Sequence, residues 1–136
     1  MSWDIFVQDL PRDARSTADI PADFRPKPIG SRADVIRQIN DLIPDADFSD
    51  PSWGRIEAED WSIEVNMGAD EECKSFALHV SGGDAVVGVV GAILKHLNLR
   101  ALDSQTGEFF VAGAEALDNF QKWRAYRDQV INRRAG

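Results

Sequence analysis

The densest concentration of side chains able to bind or react is a run of eleven carboxylates within residues 41–72. Arg55 is the only cation there, so the segment carries a formal charge of −10 (one minus eleven), while the whole chain carries −8. Three aromatic residues, Phe48, Trp53 and Trp61, lie among the acids. A concentrated negative field beside aromatic surface attracts a basic partner and repels nucleic acid. The sequence therefore predicts a protein partner, with a basic one favoured.

Seven residues of this segment are predicted to contact that partner. Tryptophan is the residue type most typical of binding hot spots, and carboxylates steer a basic partner towards them. The alternative interpretation is that the charges keep exposed strand edges soluble and that the tryptophans belong to the core. The predicted partner-binding residues are Asp45, Asp47, Asp50, Trp53, Glu57, Glu59 and Asp60.

A metal site in the same segment is not predicted. Asp45, Asp47 and Ser49 have the spacing that opens a calcium-binding loop. That loop requires glycine at its sixth position and glutamate at its twelfth, where this chain has Asp50 and Ile56. The sequence accordingly predicts neither a metal nor any other cofactor.

His79 and Glu64 carry a second hypothesis, because a carboxylate beside an imidazole can transfer protons. Alternation along their two predicted strands places both side chains on the same outward face. The alternative is a solvated surface histidine. The hypothesis predicts an enzyme or small-molecule binder whose cleft brings His79 and Glu64 within hydrogen-bonding distance. The partner-binding hypothesis predicts a convex acidic face without such a cleft.

Two glycine-containing segments could form a phosphate site or a dimer contact. Gly82-Gly83-Asp84 precedes a helix, and Asp84 is predicted to cap that helix with its carboxylate, which would repel a phosphate. Gly88 and Gly91 lie within the same helix, where each costs about 1 kcal/mol relative to alanine. Close approach of another backbone would offset that cost, either from this chain or across a homodimer seam. A structural homodimer is therefore the third hypothesis, and the sequence leaves monomer and homodimer open.

Length and composition indicate a single cytoplasmic domain. The 136 residues include one cysteine, Cys73, which excludes an intrachain disulfide and a cysteine-based zinc site. Its neighbours Glu71 and Glu72 disfavour a thiolate. A pI near 4.6 argues against binding to nucleic acid. No apolar run reaches the roughly 18 residues of a membrane span, and the N-terminus lacks the basic region of a signal peptide.

Hydrophobic periodicity predicts an α+β fold, in which a mostly antiparallel sheet is covered by helices in the order β-α-β-β-β-α-β-β-α. A proline-rich extended arm over about residues 11–30 is expected to dock through Ile20, Phe24 and Ile29. Predicted helices lie near 32–43, 85–97 and 114–133, and predicted strands lie near 2–8, 55–59, 61–67, 76–80, 99–102 and 108–111.

Several ordered segments resemble those of a family of small uncharacterised bacterial proteins. They read DIFVQDLP, ADFSDPSWG, HVSGGDA and LRALD, and the likeness covers most of residues 3–111. This resemblance implies no known activity and supplies no site residues. A looser similarity, in size, acidity and fold class alone, is to bacterial toxin-immunity proteins.

Overall fold

A computed structural model describes residues 2–135, with side-chain environments as far as Asn132. Within this range, its helices are α1 (Arg32–Leu42), α2 (Ala85–Leu97) and α3 (Ala114–Ala135). Its strands are β1 (Trp3–Gln8), β2 (Gly30–Ser31), β3 (Trp53–Glu57), β4 (Trp61–Asn66), β5 (Glu72–Cys73), β6 (Ser75–Gly82), β7 (Arg100–Asp103) and β8 (Glu108–Phe109).

Six strands form one sheet in the order β3-β4-β6-β1-β7-β8, and every neighbouring pair is antiparallel. The two short strands β2 and β5 pair separately. The first strand of the chain, β1, lies inside the sheet between β6 and β7. The predicted α+β class and antiparallel sheet are thus confirmed. No helix in the described part of the chain is both long and apolar enough to cross a membrane.

The main hydrophobic core lies between the inner face of the sheet and the helices. Alternate residues of β1 and β6 are buried there, which is the period-two pattern of strands covered on one face. Trp3 of β1 and Phe120 of α3 are fully buried, with ring centroids 5.1 Å apart. Burying a large apolar side chain contributes about 1.5–3 kcal/mol, so this layer stabilises the fold and leaves the outer face for a site.

The predicted arm covers one end of the outer face. Ile20 and Phe24 pack with Leu102 and Phe109 in a second hydrophobic cluster, as the sequence predicts. The Arg100 guanidinium donates to the carbonyl oxygens of Pro11 (2.5 Å) and Ala14 (2.8 Å), and it lies 3.6 Å from the centroid of the Phe109 ring. The arm is therefore held over β7 and β8, while the outer face of β3, β4, β6 and β1 is left open.

We expect Arg100→Ala to release the arm without unfolding the sheet. The substitution removes two charge-assisted hydrogen bonds and a cation–π contact, which together contribute about 2 kcal/mol. Amide hydrogen exchange should accelerate at Asp19 and Ile20, whose amides bond within the arm, and stay slow at Leu78. Arg25→Ala is the control, because Arg25 is exposed and bonds only to the adjacent Phe24 carbonyl. Equal exchange in both variants would contradict this role.

Three details differ from the predictions. The predicted strand 55–59 lies two residues earlier, at Trp53–Glu57, because Ala58 and Glu59 lead into the turn to β4. The proline-rich arm contains one turn of 3-10 helix at Thr17–Asp19. The predicted cap by Asp84 is wrong: its carboxylate makes no hydrogen bond to α2 and pairs instead with Arg124 at 2.7 Å. Packing of α3 beside α2 brings that competing cation to the helix start.

Candidate functional site

The open part of the outer face carries a row of charged side chains across four strands. Strand register places Arg55 opposite Glu64, Glu64 opposite His79, and His79 opposite Asp4. Directly opposed residues have Cβ atoms about 4.5–5.5 Å apart, so each side chain in the row lies beside the next. The row brings Asp4 and His79 together although they are 75 residues apart in sequence.

The hydrogen-bond partner of His79 is Asp4. Nδ1 of His79 lies 2.7 Å from Oδ1 of Asp4, and the Ser2 hydroxyl donates to the same oxygen. The Trp53 ring stacks on the imidazole, with centroids 5.5 Å apart and planes inclined by 18°. These contacts fix the orientation of the imidazole and leave Nε2 as its second nitrogen for a ligand.

The predicted proximity of His79 and Glu64 is present, but no hydrogen bond joins them among the described side chains. Asp4 is not among the residues that the sequence predicts for the site. One signal in the sequence could have found Asp4: alternation along residues 2–8 assigns its side chain to the outward face of the first strand. That signal does not reveal that β6 is the neighbouring strand.

A cleft of about 410 Å³ opens over this row, lined by Ser2, Trp53, Ser62, Glu64, His79 and Ser81. An imidazole oriented by a carboxylate is one half of an acid–base site. In the described residues, no hydroxyl or thiol lies within hydrogen-bonding distance of His79, and the Ser62 and Ser81 hydroxyls bond to each other at 3.1 Å. The geometry therefore fits recognition of a ligand better than nucleophilic catalysis.

Six of the seven predicted partner-binding residues line clefts on or beside this face. Asp47, Asp50 and Trp53 line a cleft of about 340 Å³. Glu57, Glu59 and Asp60 line another of about 290 Å³ at the turn between β3 and β4. Asp45 lies exposed on the turn after α1 and lines none of the three clefts.

The three clefts form one continuous surface. Trp53 lines both the central cleft and the one at Asp47, while Ser62 and Ser81 line both the central cleft and the one at Asp60. We call this surface the acidic face. The expectation of a convex face without a cleft at His79 and Glu64 is wrong, because both residues line the central cleft. Its charged residues and histidine are Asp4, Asp47, Asp50, Arg55, Glu57, Glu59, Asp60, Glu64 and His79.

Local hydrogen bonds keep two acids of the acidic face ionised. Asp47 accepts from the Ser49 hydroxyl at 2.7 Å and from its backbone amide at 2.9 Å. Asp50 accepts from the Ser52 hydroxyl at 2.7 Å and from its amide at 3.0 Å. Because these bonds favour the carboxylate form, they lower the pKa of both groups. The turn thus presents two negative charges in fixed positions.

The three aromatic residues of the acidic segment differ in their contacts, and Trp61 both packs on the core and lines the cleft at Asp60. Phe48 and Trp61 pack against the main core, as the alternative interpretation of the sequence predicts. Gly54 permits this for Phe48, because a Cβ at that position would overlap the phenyl ring. Trp53 alone projects outward, which makes it the aromatic anchor of the face.

Gly88 and Gly91, the predicted dimer seam, line an apolar groove of about 540 Å³ between α2 and the start of α3. A Cβ at Gly91 would lie 3.2 Å from that of Ala112, so this glycine does permit a close approach within the chain. A Cβ at Gly88 would have no neighbour within 4 Å. The contact expected to offset the helix cost of Gly88 is therefore not made within the described residues.

The structure also shows the environment of the single thiol and the arrangement of possible metal ligands. Cys73 is buried on β5, and burial raises the pKa of its thiol, which disfavours the thiolate. Across the described residues, no three His, Cys, Asp or Glu side chains are arranged to hold a metal ion.

Comparison with known proteins found no match among family models, curated proteins or solved structures.

Proposed function

We propose that this chain binds a basic partner protein through the acidic face, with an extended segment of the partner lying along the clefts. The observation that carries the proposal is the continuity of the clefts: carboxylates line all three, and a stacked tryptophan stands where two of them meet. Because the composition favours a cytoplasmic location for this chain, the proposed partner is also cytoplasmic. The proposal is non-enzymatic, and the resemblance to uncharacterised bacterial proteins is neutral towards it.

The charge of the face supports a cationic partner. Seven carboxylates and one arginine give it a formal charge of −6 with His79 neutral. Two cations of α3 pair within the helical layer: Arg124 bonds to Asp84 and Lys122 to Asp118. Clefts lined by one sign of charge concentrate ligands of the opposite sign and raise association rates.

The shape of the face supports an extended segment. The clefts follow β3 from Trp53 at one end to Glu57 at the other. Five strand residues span about 14–17 Å at 3.4 Å per residue, so a partner segment of about five to eight extended residues would cover the surface. Trp53 would then contribute aromatic contact where the central cleft meets the cleft at Asp47, and tryptophan is a residue type typical of hot spots.

The test is the association rate of the intact protein with a ten-residue peptide of alternating arginine and serine. Neutralising Asp47, Asp50 and Glu57 together (D47N, D50N, E57Q) should slow association about 3- to 10-fold at low salt and flatten its salt dependence. The new amides keep an oxygen for the Ser49 and Ser52 hydroxyls. Association rates should be measured at about 0.01 M and 1 M salt, where the Debye length is about 30 Å and 3 Å.

A matched control removes the same number of charges from the helical layer. Asp41, Asp118 and Asp128 are exposed on α1 and α3, and each pairs only with a nearby residue of its own helix. Converting all three to asparagine should change the association rate less than about twofold, because they lie away from the face. Equal slowing in the two triple variants would show that net charge alone governs binding and would refute the proposal.

A further inference from the structure

We infer that the central cleft, which Trp53, His79 and Glu64 line, selects a guanidinium group, presented as an arginine side chain of the partner. The inference rests on the proposed function and deepens it, since it names the group that the central cleft recognises. Three features of the cleft support it: an unpaired carboxylate, a stacked aromatic platform, and a set of hydroxyl oxygens.

The unpaired carboxylate is Glu64. It is half-buried and lines the cleft, yet among the described side chains it makes neither a hydrogen bond nor an ion pair. Arg55 lies opposite it on β3 but does not form an ion pair with it. A partly desolvated carboxylate without a partner gains most from a charge-assisted, two-pronged hydrogen bond, and a guanidinium supplies that geometry.

The aromatic platform is the stacked pair of Trp53 and His79, whose planes differ by 18°. Trp53 lines both the central cleft and the neighbouring one at Asp47, so its indole is reached from two sides. A planar, weakly hydrated guanidinium stacks on such a surface, whereas the compact, strongly hydrated ammonium of lysine gains less from it. The platform therefore favours arginine over lysine.

Hydroxyl oxygens complete the lining. Ser62 and Ser81 lie at one end of the cleft, where their hydroxyls bond to each other, and Ser2 lies beside Asp4. A guanidinium has five N–H donors and no acceptor, so an acceptor-rich lining matches it. No lysine or arginine lines the cleft to compete for these oxygens.

The experiment measures affinity for three versions of one peptide, whose single central residue is arginine, lysine or citrulline in an otherwise uncharged serine and glycine sequence. Free agmatine, which carries a guanidinium without a polypeptide, is a fourth probe. Resonances of the Trp53 indole N–H and of the Glu64 and His79 amides report binding in the intact protein. We expect the arginine peptide to bind about tenfold more tightly than the citrulline peptide and about threefold more tightly than the lysine peptide.

Two variants with one control locate the effect. Glu64→Gln should weaken the arginine peptide about tenfold, because it removes the carboxylate and preserves its shape. Glu115→Gln makes the same change at an exposed position in the first turn of α3, outside the acidic face, and it should weaken binding less than twofold. Trp53→Leu should weaken the arginine peptide about threefold while leaving the lysine peptide almost unchanged, so that the two bind about equally.

The outcomes separate the inference from the proposed function. Equal affinities for arginine and citrulline, or equal effects of Glu64→Gln and Glu115→Gln, would overturn the inference and leave binding of basic partners standing. Failure of the alternating arginine–serine peptide to bind at low salt would overturn the proposed function. Glu64-dependent binding of agmatine without binding of any peptide would support the guanidinium cleft and assign it to a free small molecule.

Discussion

Gly82→Ala is expected to cost about 2–5 kcal/mol of the free energy of unfolding. Gly82 ends β6 with φ at +106°, a conformation that costs an L-residue about 1–2 kcal/mol. A Cβ there would also overlap the Asp60 carbonyl oxygen and the Trp61 Cα, which are backbone atoms and cannot rotate away. Such overpacking typically adds about 1–3 kcal/mol. Domains of this size have a total stability of about 5–15 kcal/mol, so the loss is a large fraction.

Urea unfolding of Gly82→Ala, with Gly88→Ala as the matched control, tests this expectation. Gly88 is helical and exposed, and an added Cβ meets nothing within 4 Å, so alanine there should stabilise the chain by about 0.5–1 kcal/mol. Opposite signs at the two glycines would confirm that close approach, and not residue type, decides the result. A Gly82→Ala protein as stable as the parent would contradict the packing at the β3–β4 turn.

The same pair of variants bears on function and on assembly. Gly82 lines the cleft that contains Asp60, and the Gly83 amide donates to the Asp60 carbonyl at 2.8 Å. Strain at Gly82 would therefore displace the turn that carries Glu59 and Asp60. A Gly88→Ala variant that loses mass in concentration-dependent sedimentation would instead support the homodimer hypothesis.

Asp103→Ala is expected to cost about 2–4 kcal/mol, which is the second largest effect. Asp103 is 2% exposed and accepts hydrogen bonds from the Trp3 indole N–H at 2.9 Å and from the Gln105 amide at 2.8 Å. Alanine would leave a fully buried indole N–H without a partner, at about 1–3 kcal/mol, and would open a small cavity. Asp103→Asn keeps an acceptor oxygen and is expected to cost less than about 1 kcal/mol at neutral pH.

The pH dependence of Asp103 has a definite sign. Burial raises the pKa of its carboxyl above the ordinary value of 3.8. The folded protein therefore holds this proton to higher pH than the unfolded chain, and linkage makes the stability fall as pH rises from 3.8 through the raised pKa. Comparing the parent with Asp103→Asn by urea unfolding across that interval isolates the group, and the parent should lose stability relative to the variant. A constant difference across the interval would contradict the raised pKa.

Local sequence determined most of the elements. The run from Ala85 to Leu97 is apolar on a broad face, and α2 has those bounds with Asn98 in the left-handed conformation that ends it. Period-two alternation identified β1, β4 and β6, because strands covered on one face require it. Of the three predicted anchors of the arm, Ile20 and Phe24 pack in the second cluster, whereas Ile29 packs against the main core.

The acidic segment was apparent from composition alone, but the role of each residue in it was not. Alternation with Ile63 and Val65 assigns Trp61 to the inner face of β4, but nothing local shows that Trp53 faces outward or that Phe48 packs over Gly54. The bounds of β3, two residues earlier than predicted, also depend on cross-strand pairing. Turn residues can end a strand at several positions, and cross-strand pairing selects one.

Sequence alone determined that Asp4 and His79 each face outward, that the acids concentrate between residues 41 and 72, and that the chain folds as α+β. Tertiary structure alone decided that β1 pairs with β6, that the arm stops at β7 and β8, and that the open face is concave. The physical reason is that periodicity records whether a side chain is buried, whereas strand order depends on contacts between residues far apart in the chain. The hydrogen bond between Asp4 and His79, which are 75 residues apart in sequence, depends on such a long-range contact.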